Sequence, residues 1–184
     1  MAIDVVGLTA DVRVVNADTS DPTDSLRQQN PLGKIPTLLL EDGQALFDSR
    51  VIVEYLDAID GRGILVPAGT LERIGVLRQQ ALADGLLDAA LLQVYERRFR
   101  SETQQTESWV ENQHSKVERA LDAFSVQLPA RRDVGPHIGE IALAAALGYL
   151  DFRFEGRWRF THLPLAQWLN DFAQRVPAFE HTKP

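Results

Sequence analysis

Apolar residues recur along this chain at two periods, and the change between them divides the sequence. Up to about residue 60, short apolar runs alternate with polar turns. Val12-Arg13-Val14-Val15, Thr37-Leu38-Leu39-Leu40 and Ala45-Leu46-Phe47 read as strands, since short runs of this kind suit a pleated surface. The turn Glu41-Asp42-Gly43-Gln44 joins the last two into a β-hairpin, with Gly43 as its left-handed residue. Met1 to Gly7 reads as the last turns of a helix closed by Gly7. Thr23 or Asp24 caps a short helix through Gln29, which Asn30-Pro31 ends because the residue before proline disfavours the α region. Asp48 or Ser49 caps a further helix from Val51 to Ala58.

From Leu71 the period is helical to the end. Leu77, Ala81, Asp84, Asp88, Leu91 and Tyr95 fall at spacings of four and three, so they share a face on which the two carboxylates lie one turn apart. Paired aspartates of this kind are usually structural, meeting an arginine or capping polar groups; here Asp84 is a candidate for lining a cleft or a subunit interface. Val110, Val117, Leu121, Phe124 and Leu128 mark a second long helix. Ile138 to Leu150 is apolar nearly all round, the pattern of a helix buried at the centre of its domain. Leu165, Trp168, Leu169, Phe172 and Val176 mark a last helix, ended by Pro177. The helix breakers of Gly61-Arg62-Gly63 and Pro67-Ala68-Gly69 separate an α/β unit, residues 1–62, from an all-helical unit, residues 71–184.

Composition narrows the function. The 184 residues are 45% hydrophobic and 24% charged, with a formal net charge of -7, the profile of an ordinary globular protein. Arg97-Arg98 and Arg131-Arg132 are isolated pairs without the clustering that phosphate neutralisation needs, so no nucleic-acid partner is expected. No apolar run approaches the roughly 18 residues of a membrane span, and no leader pattern opens the chain, so a cytoplasmic protein is expected. The absence of cysteine excludes a protein thiolate nucleophile and Cys-ligated metal, and the four histidines have no ligand spacing, so no metal is expected. Trp109, Trp158 and Trp168 fit core positions.

The residues with the most to say about chemistry are Asn30-Pro31-Leu32-Gly33-Lys34-Ile35-Pro36, the hairpin after them, and Asp48-Ser49-Arg50-Val51-Ile52. Together with Ile141-Ala142-Leu143 and Leu147-Gly148-Tyr149-Leu150-Asp151, in that order, they closely resemble bacterial glutathione transferases over nearly the whole chain. The resemblance implies a thioredoxin-like N-terminal domain, truncated at its start, packed on an all-α C-terminal domain. It also implies glutathione as co-substrate, a small electrophile as second reactant, and a homodimer with contacts through the Val51 and Leu71 helices.

The residues suit that ligand. With the Ile35–Pro36 bond cis, as in the family, the N–H and C=O of Ile35 turn outward and can pair with an extended peptide as an added strand. Ser49 at a helix start offers a hydroxyl and backbone N–H groups to the γ-glutamyl carboxylate, which the helix dipole favours. Lys34 offsets the glycyl carboxylate, and Asp48 holds the γ-glutamyl ammonium. Standing alone, Asp48-Ser49 would be an ordinary helix cap and Lys34 a solvated loop lysine; their order after a Lys-Ile-Pro turn gives them the ligand reading.

Conjugation needs the glutathione sulfur as thiolate, and a free thiol has a pKa near ~8.5, so a hydrogen-bond donor must stabilise the anion. In the family that donor is a Ser, Tyr or Cys just after the first strand. The resemblance starts inside the helix that follows, so the first strand and most of the first helix are expected to be missing. Thr9, Thr19, Ser20, Thr23 and Ser25 do not match the donor position, and no catalytic residue is assigned. A second departure is His137, where the family opens its buried helix with Ser, Thr or Asp; a histidine is expected to cap less firmly. Three readings stand: a glutathione transferase, a non-catalytic binding or regulatory module on the same fold, and a glutathione-dependent reductase or isomerase, the last disfavoured by the absence of cysteine.

Overall fold

The computed structural model describes residues 1–183. Its first part holds two short helices, α1 (Ala2–Val5) and α2 (Leu26–Gln29), strands β1 (Leu38–Leu39) and β2 (Ala45–Leu46), and helix α3 (Ser49–Asp60). Gly7 follows α1 at φ 79°, in the left-handed conformation expected of it. The expected hairpin forms, with Leu38 opposite Leu46 and Leu39 opposite Ala45. The amide of Leu40 donates to the carbonyl of Gln44 beside the turn. Asp48 caps α3, its Oδ1 accepting from the amide of Arg50 at 3.1 Å, and Gly61 closes the helix at φ 71°.

The expected strand from Val12 to Val15 does not form. No backbone group from Val12 to Ala17 enters a backbone hydrogen bond among the described residues, and Val14 and Val15 are 83% and 70% exposed. Strand propensity alone cannot hold a ladder; a neighbour must complete the hydrogen bonds, and this segment meets none.

The second part is helical throughout: α4 (Thr70–Phe99), a 3-10 turn (Glu102–Gln104), α5 (Glu107–Val126), α6 (Ile138–Phe154), α7 (Trp158–Thr161), α8 (Leu163–Arg175) and α9 (Ala178–His181). The helix marked by Leu165 to Val176 is α8, which stops at Arg175 just ahead of Pro177 as expected; it is not the last, because Pro177 opens the short α9. Leu143, Ala144, Ala146 and Leu147 of α6 are completely buried, which places this apolar helix at the centre as its sequence requires. Gly139 lets α6 touch α4: a Cβ there would lie 2.8 Å from the Cβ of Gln79. Trp158 and Trp168 are buried, the latter stacked on Phe172 at 5.4 Å, whereas Trp109 is only partly covered. One apolar cluster runs from Val6 and Leu56 through Leu86 and Leu121 to Phe179, so α3 packs on the same core as the helices after it.

His137 caps α6 more completely than expected. Its Nδ1 accepts from the amide of Glu140 at 3.2 Å, and the Glu140 carboxylate accepts from the amide of His137 at 3.1 Å, a full reciprocal capping box. The imidazole nitrogen takes the place of the hydroxyl or carboxylate oxygen usual at this position. The next amide, Ile138, donates to the carbonyl of Leu65 at 2.9 Å, tying the helix start to the linker after α3.

Candidate functional site

The hairpin sets the geometry. Continuing its register two residues outward from Leu38 and Leu46 carries Pro36 toward Asp48. The loop that ends in Ile35-Pro36 and the start of α3 therefore meet at the same end of β1 and β2. The Ile35–Pro36 bond is cis, and so is Phe47–Asp48. Ile35 is exposed, and neither its N–H nor its C=O is hydrogen-bonded within the described chain.

Asn30 holds this loop in shape. Its side chain is buried beneath the turn; Nδ2 donates to the carbonyl of Lys34 at 2.8 Å and to Thr37 Oγ1 at 3.3 Å, while Oδ1 accepts from the amide of Leu32 at 3.0 Å. One amide group thus binds the loop at its start and end. Gly33 takes φ 59°, and Arg27 lies across it so closely that a Cβ would sit 3.3 Å from Arg27 Cγ. Arg27 is itself fixed by the carbonyls of Thr19, at 3.0 Å, and Asp21. The sequence places Asn30 at the end of a helix and at the head of the Asn30–Pro36 motif, without showing that its side chain clamps the loop. The signal that could have shown more was an Asx residue ahead of a Pro-x-Gly turn, whose side chain bonds the amide two residues on.

Of the residues expected at the site, Lys34, Ile35 and Pro36 stand exposed on the loop, and Asp48 and Ser49 at the start of α3. Lys34 makes no ion pair among the described residues. Asp48 commits one oxygen to capping, while the hydroxyl and amide of Ser49 have no partner within the described chain. Ser49 is therefore open to a ligand without cost to the cap. Just beyond it, Arg50 Nε bonds Asp84 Oδ2 at 3.0 Å, joining α3 to α4. Burial pushes the Asp84 carboxyl up, and the hydrogen bond and charge of Arg50 oppose that shift. Asp84 is thus an anchor between helices, and Asp88, one turn on, stays exposed. The hydroxyls of Thr9, Ser20 and Thr23 donate to Asp4, Asp18 and Asp21, so none of these three is free for a ligand sulfur.

Comparison with known proteins decides the family. The family model described as "Glutathione S-transferase, N-terminal domain" matches residues 1–59. A glutathione S-transferase from Methylobacillus flagellatus KT, solved with bound glutathione, is 37% identical over 100% of this chain and 93% of its own, with a TM-score of 0.88. The chain belongs to the glutathione transferase family. Its fold is that of the family, a thioredoxin-like N-terminal part followed by an all-α C-terminal part. A family member from Pseudomonas fluorescens Pf-5, solved with bound glutathione, is also 37% identical, over 100% of this chain and 90% of its own, at a TM-score of 0.90. Among curated proteins, the uncharacterized GST-like protein YibF of Escherichia coli K12 is 39% identical over 129 residues. The match spans 68% of this chain and 63% of YibF. No helix among the described residues is long and apolar enough to cross a membrane.

Proposed function

We propose that the protein binds glutathione along the Lys34–Pro36 loop and the start of α3, and that its thiolate attacks an electrophilic carbon where a stabilising donor is supplied. The open backbone of Ile35 opposite the unpartnered Ser49 carries this reading. The first pairs with the peptide part of glutathione, and the second, at a helix N-terminus, takes the γ-glutamyl carboxylate. Asp48 takes the ammonium through the oxygen not used in capping, and Lys34 faces the glycyl carboxylate. The glutathione-bound relatives support the ligand. In the transfer step a sulfur–carbon bond forms as the leaving group departs with its electron pair, and the thiol proton passes to solvent. Residues 1–62 hold glutathione and residues 71–184 face the electrophile. A reducing, cytoplasmic setting belongs to the same reading, because the ligand's sulfur must stay a thiol.

A non-catalytic binding module is the second reading, favoured by the engagement of Thr9, Ser20 and Thr23 with neighbouring carboxylates. Incubation of the 184-residue chain with glutathione and chlorodinitrobenzene separates the two. Thioether formation above the uncatalysed rate, saturating in glutathione, is expected of the transferase. Glutathione binding without any rate above background would establish the module instead.

A further inference from the structure

We propose that the surface formed by Tyr95, Arg98 and Phe99 of α4 with Tyr149, Phe152 and Arg153 of α6 holds the second reactant, and that it selects aromatic compounds carrying a negative charge. Calling the ligand a reactant rests on the transferase reading; the surface is argued from its own residues.

Position comes first. The face of α4 that meets α3 at Asp84 continues through Asp88 and Leu91 to Tyr95, and Arg98 and Phe99 extend it by one turn. At a rise of about 1.5 Å per residue, Tyr95 lies about 16 Å along the helix from Asp84. The surface therefore stands beyond the glutathione end of the cleft, on the same side of α4. On α6, Tyr149, Phe152 and Arg153 are spaced by three and four and share a face. Gln93 and Arg97 of α4 line one cavity with Leu150 and Phe154 of α6, so the two helices run side by side at this level. That cavity, about 300 Å³ in volume, lies on the other flank and has acidic and basic groups mixed at its rim, which gives it no clear ligand charge.

The chemistry of the first surface is less ambiguous. Arg98 and Arg153 make no ion pair among the described residues, although the chain carries 26 acidic against 19 basic side chains. Each guanidinium lies instead over an aromatic ring, Arg98 at 5.3 Å from the centre of Phe99 and Arg153 at 4.2 Å from that of Phe152. Those rings are 68% and 50% exposed, and Tyr95 meets Phe99 edge to face at 5.1 Å. The buried hydroxyl of Tyr149 has no hydrogen-bond partner among the described residues. Burial pushes the Tyr149 phenol up, and the neighbouring Arg153 pulls against that shift, which sets the guanidinium beside the phenol. Exposed rings and two guanidinium groups without an ion-pair partner among the described residues together match a flat aromatic molecule bearing a carboxylate or sulfonate.

The test titrates the full chain with two fluorescent probes of the same aromatic skeleton, anilinonaphthalene sulfonate and neutral phenylnaphthylamine. The sulfonate is expected to bind more tightly. Arg153→Met, which keeps the length of the side chain and removes its charge, is expected to weaken the sulfonate about fivefold, near the upper end of a surface ion pair. The neutral probe should change by less than about twofold in that variant. Phe152→Ala should weaken both probes. Equal affinity of both probes for the wild-type chain, or no response of the sulfonate to Arg153→Met, would overturn the proposal. Glutathione titrated against Arg153→Met is expected to bind as it does to the wild type. Failure of glutathione to bind the wild-type chain would sink the transferase reading alone, leaving the charge selectivity to be judged by the probes.

Discussion

Replacing Asn30 with alanine is expected to weaken glutathione binding about 30-fold, equivalent to roughly 2 kcal/mol. Asn30 supplies two donated bonds and one accepted bond to a loop of seven residues, and among the described residues no other side chain joins its two ends. Loss of the amide strands the amide of Leu32 and leaves the carbonyl of Lys34 to the Thr37 hydroxyl alone, at 3.1 Å, in a partly buried turn where an unmade bond costs about 1 kcal/mol or more. The free loop then samples conformations that do not present Ile35, and apparent affinity falls by the fraction that still does. Because Asn30 is remote from the helical core, unfolding of that core should change by less than about 0.5 kcal/mol, which separates a loop effect from a general loss of structure. Calorimetric titration together with thermal melting makes the comparison. Glutathione affinity within twofold of the wild type would mean that the loop does not hold the ligand.

The second large effect is one of pH. His137 is buried at the start of α6, and burial first, then the charge of Arg132, hold its pKa down to about 4 from an ordinary 6.5; its own backbone hydrogen bond opposes them. The unfolded chain therefore takes up a proton at His137 below about pH 6.5, while the folded chain refuses it until about pH 4. Stability from this group is complete above about pH 6.5 and is lost as pH falls toward about 4, by about 3 kcal/mol in all at 1.36 kcal/mol per unit. Protonation at Nδ1 would also remove the acceptor for the Glu140 amide. Glu140 acts in the opposite sense: burial raises its carboxyl despite Arg175 and Arg132, so its contribution falls as pH rises. The variant His137→Gln isolates the histidine, since an amide can cap but does not titrate in this range. Denaturant unfolding of both chains from pH 7 to pH 4 should show the wild type losing about 3 kcal/mol relative to the variant. Parallel pH profiles would show that the imidazole is not held neutral.

The long elements were legible in the sequence because their signals are redundant. α4, α5 and α6 each repeat an apolar period over several turns, and the cap at Asp48 and the glycine at Gly61 mark both ends of α3. The hairpin was equally plain, since Gly43 between two apolar runs leaves little choice of turn. Val12 to Val15 misled because its composition states a preference, whereas a strand is a relation between two segments and the partner cannot be read from one of them. At His137 the residue type was judged apart from Glu140, and the capping box exists only as the pair. In the candidate site, the loop and the helix start were visible as motifs. The clamp by Asn30 and the anchoring of Arg50 to Asp84 depend on which side chains turn inward, and that is settled by packing over distances of up to 34 residues.

The most direct measurement is a calorimetric titration of glutathione into the wild-type chain and into Ser49→Ala. Asp48, not Ser49, caps α3, so the variant should melt with the wild type. If the γ-glutamyl carboxylate sits at this helix start, the wild type binds one glutathione per chain and the variant binds it at least about tenfold more weakly, the share of a charge-assisted hydroxyl bond. Equal affinity of the two chains would place glutathione elsewhere and contradict the account.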